Sequence, residues 1–236
     1  METIQDLQDL LKHELKDLYS AEAQIINALP EMIETASNRK LRTALNDHLK
    51  VTKAQKKRLD QVQKMLDMDE EKAETKGFFA NLFGSDEGEE HCKAMEGLIK
   101  EGKKMMSEDM SPAAKDAAII AAAQKIEHYE ISSYGTARVF ALQLGLTKVA
   151  DLLQETLDEE YFADDSLTEL AMAEVNVKAG GKKVAQKKAA GKKAPAKKAA
   201  KKAAKKAAPK KAAARKTVNK KVVNKKAARK KTAERR

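Results

Sequence analysis

The sequence has one cysteine, no tryptophan, four prolines and only 4% aromatic residues, and each scarcity excludes something. Cys92, alone, can form no intramolecular disulfide, so stability must come from packing and a reducing interior is expected. With four prolines in 236 residues and 35% charged residues, the chain reads as all-α. No run approaches about 18 apolar residues, which argues against a membrane-spanning helix. The N-terminal stretch METIQDLQDLLKHELKD lacks the basic and apolar regions of an export signal. A phosphate loop, a Cys-x-x-Cys pair, a dinucleotide fingerprint and a nucleophile–base triad are all missing from the pattern. A cytoplasmic protein is expected.

What is present is unevenly divided. Residues 178–236 hold 26 of the 47 Lys and Arg but one of the 36 acids, a formal charge of +25, whereas residues 1–177 carry −14. The overall pI of about 9.4 describes neither part. The chain reads as an acidic folded domain, 1–177, followed by a basic tail, 178–236.

In the acidic part, apolar residues recur at helical spacing. A first long helix is expected, capped by Thr3 with Asp6 three residues on; Pro30 should kink it or end it. A turn at Ala36–Asn38 starts a second helix, with Ser37 or Asn38 as cap. Its apolar stripe runs from Leu41 to Leu66, while Lys50, Lys53, Lys56, Lys57 and Arg58 read as a solvated face. A long connection from about Asp69 to Ser111 includes the apolar loop GFFANLFG. Phe78, Phe79, Leu82 and Phe83 there cover a bundle end or, alternatively, a subunit interface. The same connection holds a short helix, roughly Glu89 to Met106. Ser111-Pro112 is a cap followed by a first-turn proline, Gly145 stops the third long helix, and a fourth follows Leu146-Thr147. Four long helices, two tight hairpins and one long crossover with an extra short helix predict a ferritin-like four-helix bundle.

Carboxylates occupy the wrong places for a plain bundle. At about 100° per residue, Glu22, Glu127 and Glu160 each point along the middle of an apolar stripe. Glu130 lies near the stripe's edge, Asp164 on the face of Glu160, and Glu159 on its flank. If the helices fold back at the two turns, Glu22, Glu127, Glu130, Glu160 and Asp164 lie at one depth. The second helix offers Val51 and Thr52 at that depth, with His48 and Gln55 about one turn to either side. Like charges so placed need a metal, a basic partner or protons. The candidate metal ligands are therefore Glu22, Glu127, Glu130, Glu160, Asp164, Glu159 and His48, with iron or manganese the expected ion. His48 also reads as a core histidine hydrogen-bonded to Glu22 or a neighbouring carboxylate. Tyr19, Tyr129 and Tyr134 read as core or boundary aromatics, Cys92 as a small buried apolar residue, and His128 as surface.

The segments LYSAEAQIINALP, LNDHLKVTKAQKKRLDQV, CKAMEGLIKEG, AAAQKIEHYEISSYGTA and LLQETLDEEYFADDSLTELA resemble the YciF-type ferritin-like family (domain of unknown function 892) over roughly residues 3–175. The resemblance implies a homodimeric bundle related to rubrerythrins and ferritins and associated with stress responses. Its site positions would be Glu22, Glu127, Glu130 and Glu159 or Glu160. Where that family reads HLEET in the second helix, this chain reads HLKVT, so Lys50 and Val51 stand in place of acids. One ion or none is then expected in place of a pair.

After Val177 the chain is low-complexity Lys/Ala. Its basic positions are Lys182 and Lys183, Lys187 and Lys188, Lys192 and Lys193, Lys197 and Lys198, Lys201 and Lys202, Lys205 and Lys206, Lys210 and Lys211, Arg215 and Lys216, Lys220 and Lys221, Lys225 and Lys226, and Arg229, Lys230 and Lys231. A spacing near five residues turns about 140° on a helix and sprays charge over every face. With no apolar stripe the tail is expected to be disordered when free. Its composition resembles linker-histone tails. Lacking aromatics, it would bind DNA or another polyanion without reading bases. The expected function is a nucleoid-associated stress protein that binds DNA non-specifically and carries a possible metal site. A di-metal oxidoreductase of ferroxidase or peroxidase type, protecting DNA from oxidative damage, is the alternative.

Overall fold

The computed structural model describes residues 4–73 and 91–181. All lie within the first of the two units into which the chain divides, Met1–Ala190. Every regular element among them is helical: α1 (Leu7–Thr35), α2 (Arg39–Ala73), the short α3 (Lys93–Ser107), α4 (Pro112–Gln143) and α5 (Thr147–Leu170). A π-helical turn, Ala171–Val175, then leads into the four-residue α6 (Asn176–Ala179). α1 pairs with α2 and α4 with α5; the two hairpins close into a bundle through α1–α4 and α2–α5 contacts. α3 lies in the crossover and packs on α1 and α4. This is the ferritin-like bundle expected. The loop with Phe78, Phe79, Leu82 and Phe83, and residues 182–236, lie outside the described residues.

The helix ends follow local chemistry. Asp6, not Thr3, caps α1: its carboxylate accepts the amides of Gln8 and Asp9 at 2.9 and 3.0 Å. A carboxylate satisfies those amides and also opposes the positive end of the helix dipole. α1 runs on past Pro30, which sits on the exposed side. Asn38 caps α2, its Oδ1 accepting from the amides of Lys40 and Leu41. The α1–α2 turn is also held from across the bundle, because buried Asp116 of α4 accepts the Ser37 amide at 2.7 Å. The α4–α5 turn has no such help and uses Gly145 at φ +78°, where a side chain would be strained. α3 begins at Lys93 rather than near Glu89, because Cys92 is its cap and accepts the Met95 amide through sulfur. Cys92 is buried but not simply apolar: its thiol lies 3.1 Å from the Tyr129 hydroxyl and 3.2 Å from the Asp17 carboxylate.

Two apolar cores fill the bundle. Leu29, Leu41, Leu45, Met95, Ile119 and Ile126 belong to one; Leu11, Leu15, Leu59, Val62, Leu153 and Tyr134 belong to the other. Between them lies a belt of buried polar residues that no apolar packing accounts for: Glu22, Thr52, Gln55, Glu127, Glu130, Thr156 and Glu160.

Candidate metal centre

α4 supplies Glu127 and Glu130, three residues apart and so on one face. α5 supplies Glu160 and α2 supplies His48. One ligand atom from each of these four lies within 4.8 Å of the others. Glu130 and Glu160 are 1% and 0% exposed, and Glu127 is 2%. Five carboxylate oxygens in the belt have no hydrogen-bond partner: Glu22 Oε2, Glu127 Oε2, both Glu130 oxygens and Glu160 Oε2. Each such oxygen costs on the order of 1–3 kcal/mol unless something fills its place. Oxygen donors with one imidazole, held close together and buried, fit a hard or borderline divalent cation such as Mn(II) or Fe(II).

Electrostatics agree with the geometry. Burial, and then the charge of Glu160, push the Glu22 and Glu130 carboxyls well above the ordinary range. Glu127 is raised by burial and by the charge and hydrogen bond of Glu160. Glu160 is pushed up to about 7 by burial, against hydrogen bonds from Glu127 and Gln55 that lower it. Burial takes His48 down to about 4, leaving its imidazole neutral and able to ligate. Without a cation the belt is held by protons; with one, those protons leave.

The remaining candidates sit around the four. Glu22 faces the belt from α1 but accepts the Tyr134 hydroxyl and is not part of the close group. Glu159 turns aside to Arg58, which grips it with both terminal nitrogens at 2.9 and 3.0 Å and donates to Thr156 at 2.7 Å. Arg58 is therefore no member of a solvated face: its side chain is 15% exposed and brings a fixed positive charge to the edge of the belt. The helical wheel put it among lysines; a pairing across the bundle drew it in. Asp164 accepts from Gln124 at 2.9 Å and lies 3.3 Å from exposed His128. His48 makes no hydrogen bond to Glu22; its Nε2 lies 3.5 Å from Glu127 Oε1, too far for a good hydrogen bond, and is otherwise unpartnered. Gln55, which the stripe alone marked only as inward, donates to both Glu159 and Glu160. Val51 contributes no ligand; it lines a cavity that reaches Glu127 and His48.

A bundle with one long crossover and inward carboxylates and a histidine on facing helices defines the ferritin-like class. The model of the family described as Domain of unknown function (DUF892) matches residues 6–79 and 78–180, and the chain belongs to that family. It is 43% identical over 176 residues to Protein YciF of Escherichia coli K12, covering 75% of this chain and 96% of that one. The crystal structure of the E. coli stress protein YciF superposes with a TM-score of 0.64 at 40% identity, covering 73% of this chain and 99% of the other. The YcfI protein of Rhodopseudomonas palustris matches with a TM-score of 0.61 at 41% identity, covering 71% and 96%. Among the described residues no helix is long and apolar enough to cross a membrane.

Proposed function

We infer that this protein is a stress-associated, metal-binding bundle that its basic tail tethers to DNA. The single observation that carries the metal half is the close group of His48, Glu127, Glu130 and Glu160, with its unpartnered oxygens. Those four residues would hold one divalent ion, iron or manganese, which supplies positive charge and, for iron, redox chemistry. The chain's own contribution is to bury the carboxyls, keep His48 neutral, and give up protons from the carboxyls on loading. Metal content by mass spectrometry of the untagged full chain should give about one ion per chain, lost in Glu130→Gln. A metal-free chain whose melting ignores Mn(II), Fe(II) and Zn(II) would overturn this half.

The nucleic-acid half is supported by the +25 charge of residues 178–236. Its lysine pairs neutralise phosphates and release counterions, so about ten contacts give a log–log salt slope near −9. A homodimer would carry two tails and bridge duplexes through effective concentration. A chain lacking residues 178–236 should lose DNA binding; equal affinity for a duplex would sink this half, and preference for RNA or polyphosphate over the duplex would redirect it.

A second reading, a di-metal oxidoreductase acting on Fe(II) with O₂ or peroxide beside DNA, is favoured by Glu22 facing the belt from the opposite hairpin. It would need a second ion where Val51 provides no ligand. Two irons per chain and steady peroxide consumption would support it; one ion without turnover would dismiss it.

A further inference from the structure

Beside the carboxylate belt a cavity of about 390 Å³ opens between α2 and α5. That size falls within the range of small-molecule sites. Leu45, Val51, Phe162, Ala163 and Leu167 form its apolar wall. Phe162 is 75% exposed at its edge, a large aromatic surface left to water. At the inner end are Glu127 and His48, and both present unpartnered polar atoms, Glu127 Oε2 and His48 Nε2. The remaining charged lining residues are Asp47, Asp158 and Glu159, and among the described residues no Lys or Arg lines the cavity. Arg58, the nearest cation of the belt, is spent on Glu159.

These observations specify an occupant. An apolar body of one or two rings would cover the wall and the exposed Phe162 ring. The Glu127 carboxyl and the His48 imidazole at the inner end are matched by a head group that can both donate and accept, as a hydroxyl or an amine can. Asp47, Asp158 and Glu159 on the lining disfavour an anion. We propose that this cavity binds a small apolar molecule whose one polar end donates hydrogen bonds and bears no negative charge, an alcohol or an amine, seated with that end at Glu127 and His48. The proposal goes beyond the metal reading; an ion held by Glu127 and His48 would compete for the polar end, so the test uses metal-free chain, in which the wall and the lining acids are unchanged. Val51 is what makes room: an acid there would shorten the apolar wall and add a further negative charge.

Three fluorescent probes with one ring system separate the cases: 2-(1-naphthyl)ethanol, 2-(1-naphthyl)ethylamine and 1-naphthylacetate. Binding to the full chain, stripped of metal with chelator, is measured by fluorescence anisotropy and calorimetry. The alcohol or the amine should bind once per chain, at least tenfold tighter than the carboxylate. Val51→Phe, which fills the cavity, should weaken binding at least tenfold. Ala163→Leu serves as a second filler should the first fail to fold, judged by its circular dichroism. Equal binding of all three probes would mean adsorption on apolar surface and overturn the proposal. So would fillers without effect, or no binding at all. Binding seen only at protein concentrations where the chain is monomeric would show that a second copy covers the cavity, and would also overturn it. Metal content, measured separately, reports on the metal reading alone.

Discussion

The two hairpins of the bundle furnish the polar belt in opposite ways. α4 and α5 bring Glu127, Glu130 and Glu160, three carboxyls in one small volume. α1 and α2 bring one acid, Glu22, bonded to a tyrosine, and otherwise neutral or positive groups: His48, Gln55 and Arg58. One half concentrates charge and the other manages it. In a symmetric ferritin-like site both hairpins would supply a Glu-x-x-His pattern. Here α2 places Val51 beside the belt and opens a cavity instead. The difference teaches that a carboxylate cluster on one hairpin can be faced by a hairpin that neutralises it instead of ligating with it, because an amide donor and a guanidinium also reduce the cost of burying charge.

The largest expected effect tests how the charge-rich half behaves alone. Glu22, Glu127, Glu130 and Glu160 titrate above their unfolded values, so the folded chain binds extra protons. The stability they give is full below the unfolded value of 4.5 and is lost as pH rises through the folded values, for Glu160 about 7. His48 works the other way: its depressed value of about 4 gives stability that is full above 6.5 and lost on acidification. Four carboxyls outweigh one imidazole. Urea unfolding of metal-free protein should therefore show stability falling between pH 6 and 8, by on the order of 1 kcal/mol from Glu160 alone, with the other three adding in the same direction. Mn(II) should restore it at pH 8, because the ion replaces the protons.

Arg58→Ala attacks the managing half. It leaves Glu159 without its cationic partner at the belt's edge and should cost about 2 kcal/mol, less than a fully buried pair because Glu159 is partly exposed and keeps the Gln55 hydrogen bond. The denaturant midpoint reads this, and Arg58→Lys should recover only part, since an ammonium lacks the two-nitrogen fork.

Val51→Glu makes the hairpins more alike. It should tighten Mn(II) binding about tenfold, close to 1.4 kcal/mol, while lowering the metal-free melting temperature. A titration with and without the ion separates the two effects. The smallest effect compares the turns. Gly145→Ala forces a side chain into the left-handed region and should cost about 1 kcal/mol. The α1–α2 turn, fixed by Asn38 and Asp116, should be indifferent to Ser37→Ala, because the bond to Asp116 comes from the backbone amide.

Much of this was legible in the sequence because helical periodicity is a local property. The stripes that placed Glu22, Glu127, Glu130 and Glu160 inward follow from about 3.6 residues per turn. The bundle's connectivity follows from where Ser111-Pro112, Gly145 and the Ala36–Asn38 turn interrupt them. Charge division along the chain needed only counting.

Pairing across helices was not legible, because it depends on which rotamers meet at the crossing. Arg58 read as surface until Glu159 and Thr156 of α5 were seen to draw it in. Asp116 carried no signal, since its partner is a backbone amide 79 residues away. Cys92 read as apolar until Tyr129 and Asp17 were found against its sulfur. Asp164 and Glu159 shared a face or flank with Glu160, but face alone cannot tell a side chain aimed at a common centre from one turned to a nearer partner. The sequence by itself thus determined four helices, their order and which carboxylates turn inward, since each is settled within a few turns of one helix. Only the tertiary structure decided which of them converge, what neutralises the rest and where the cavity opens, because those are fixed by distances between helices that no single helix encodes.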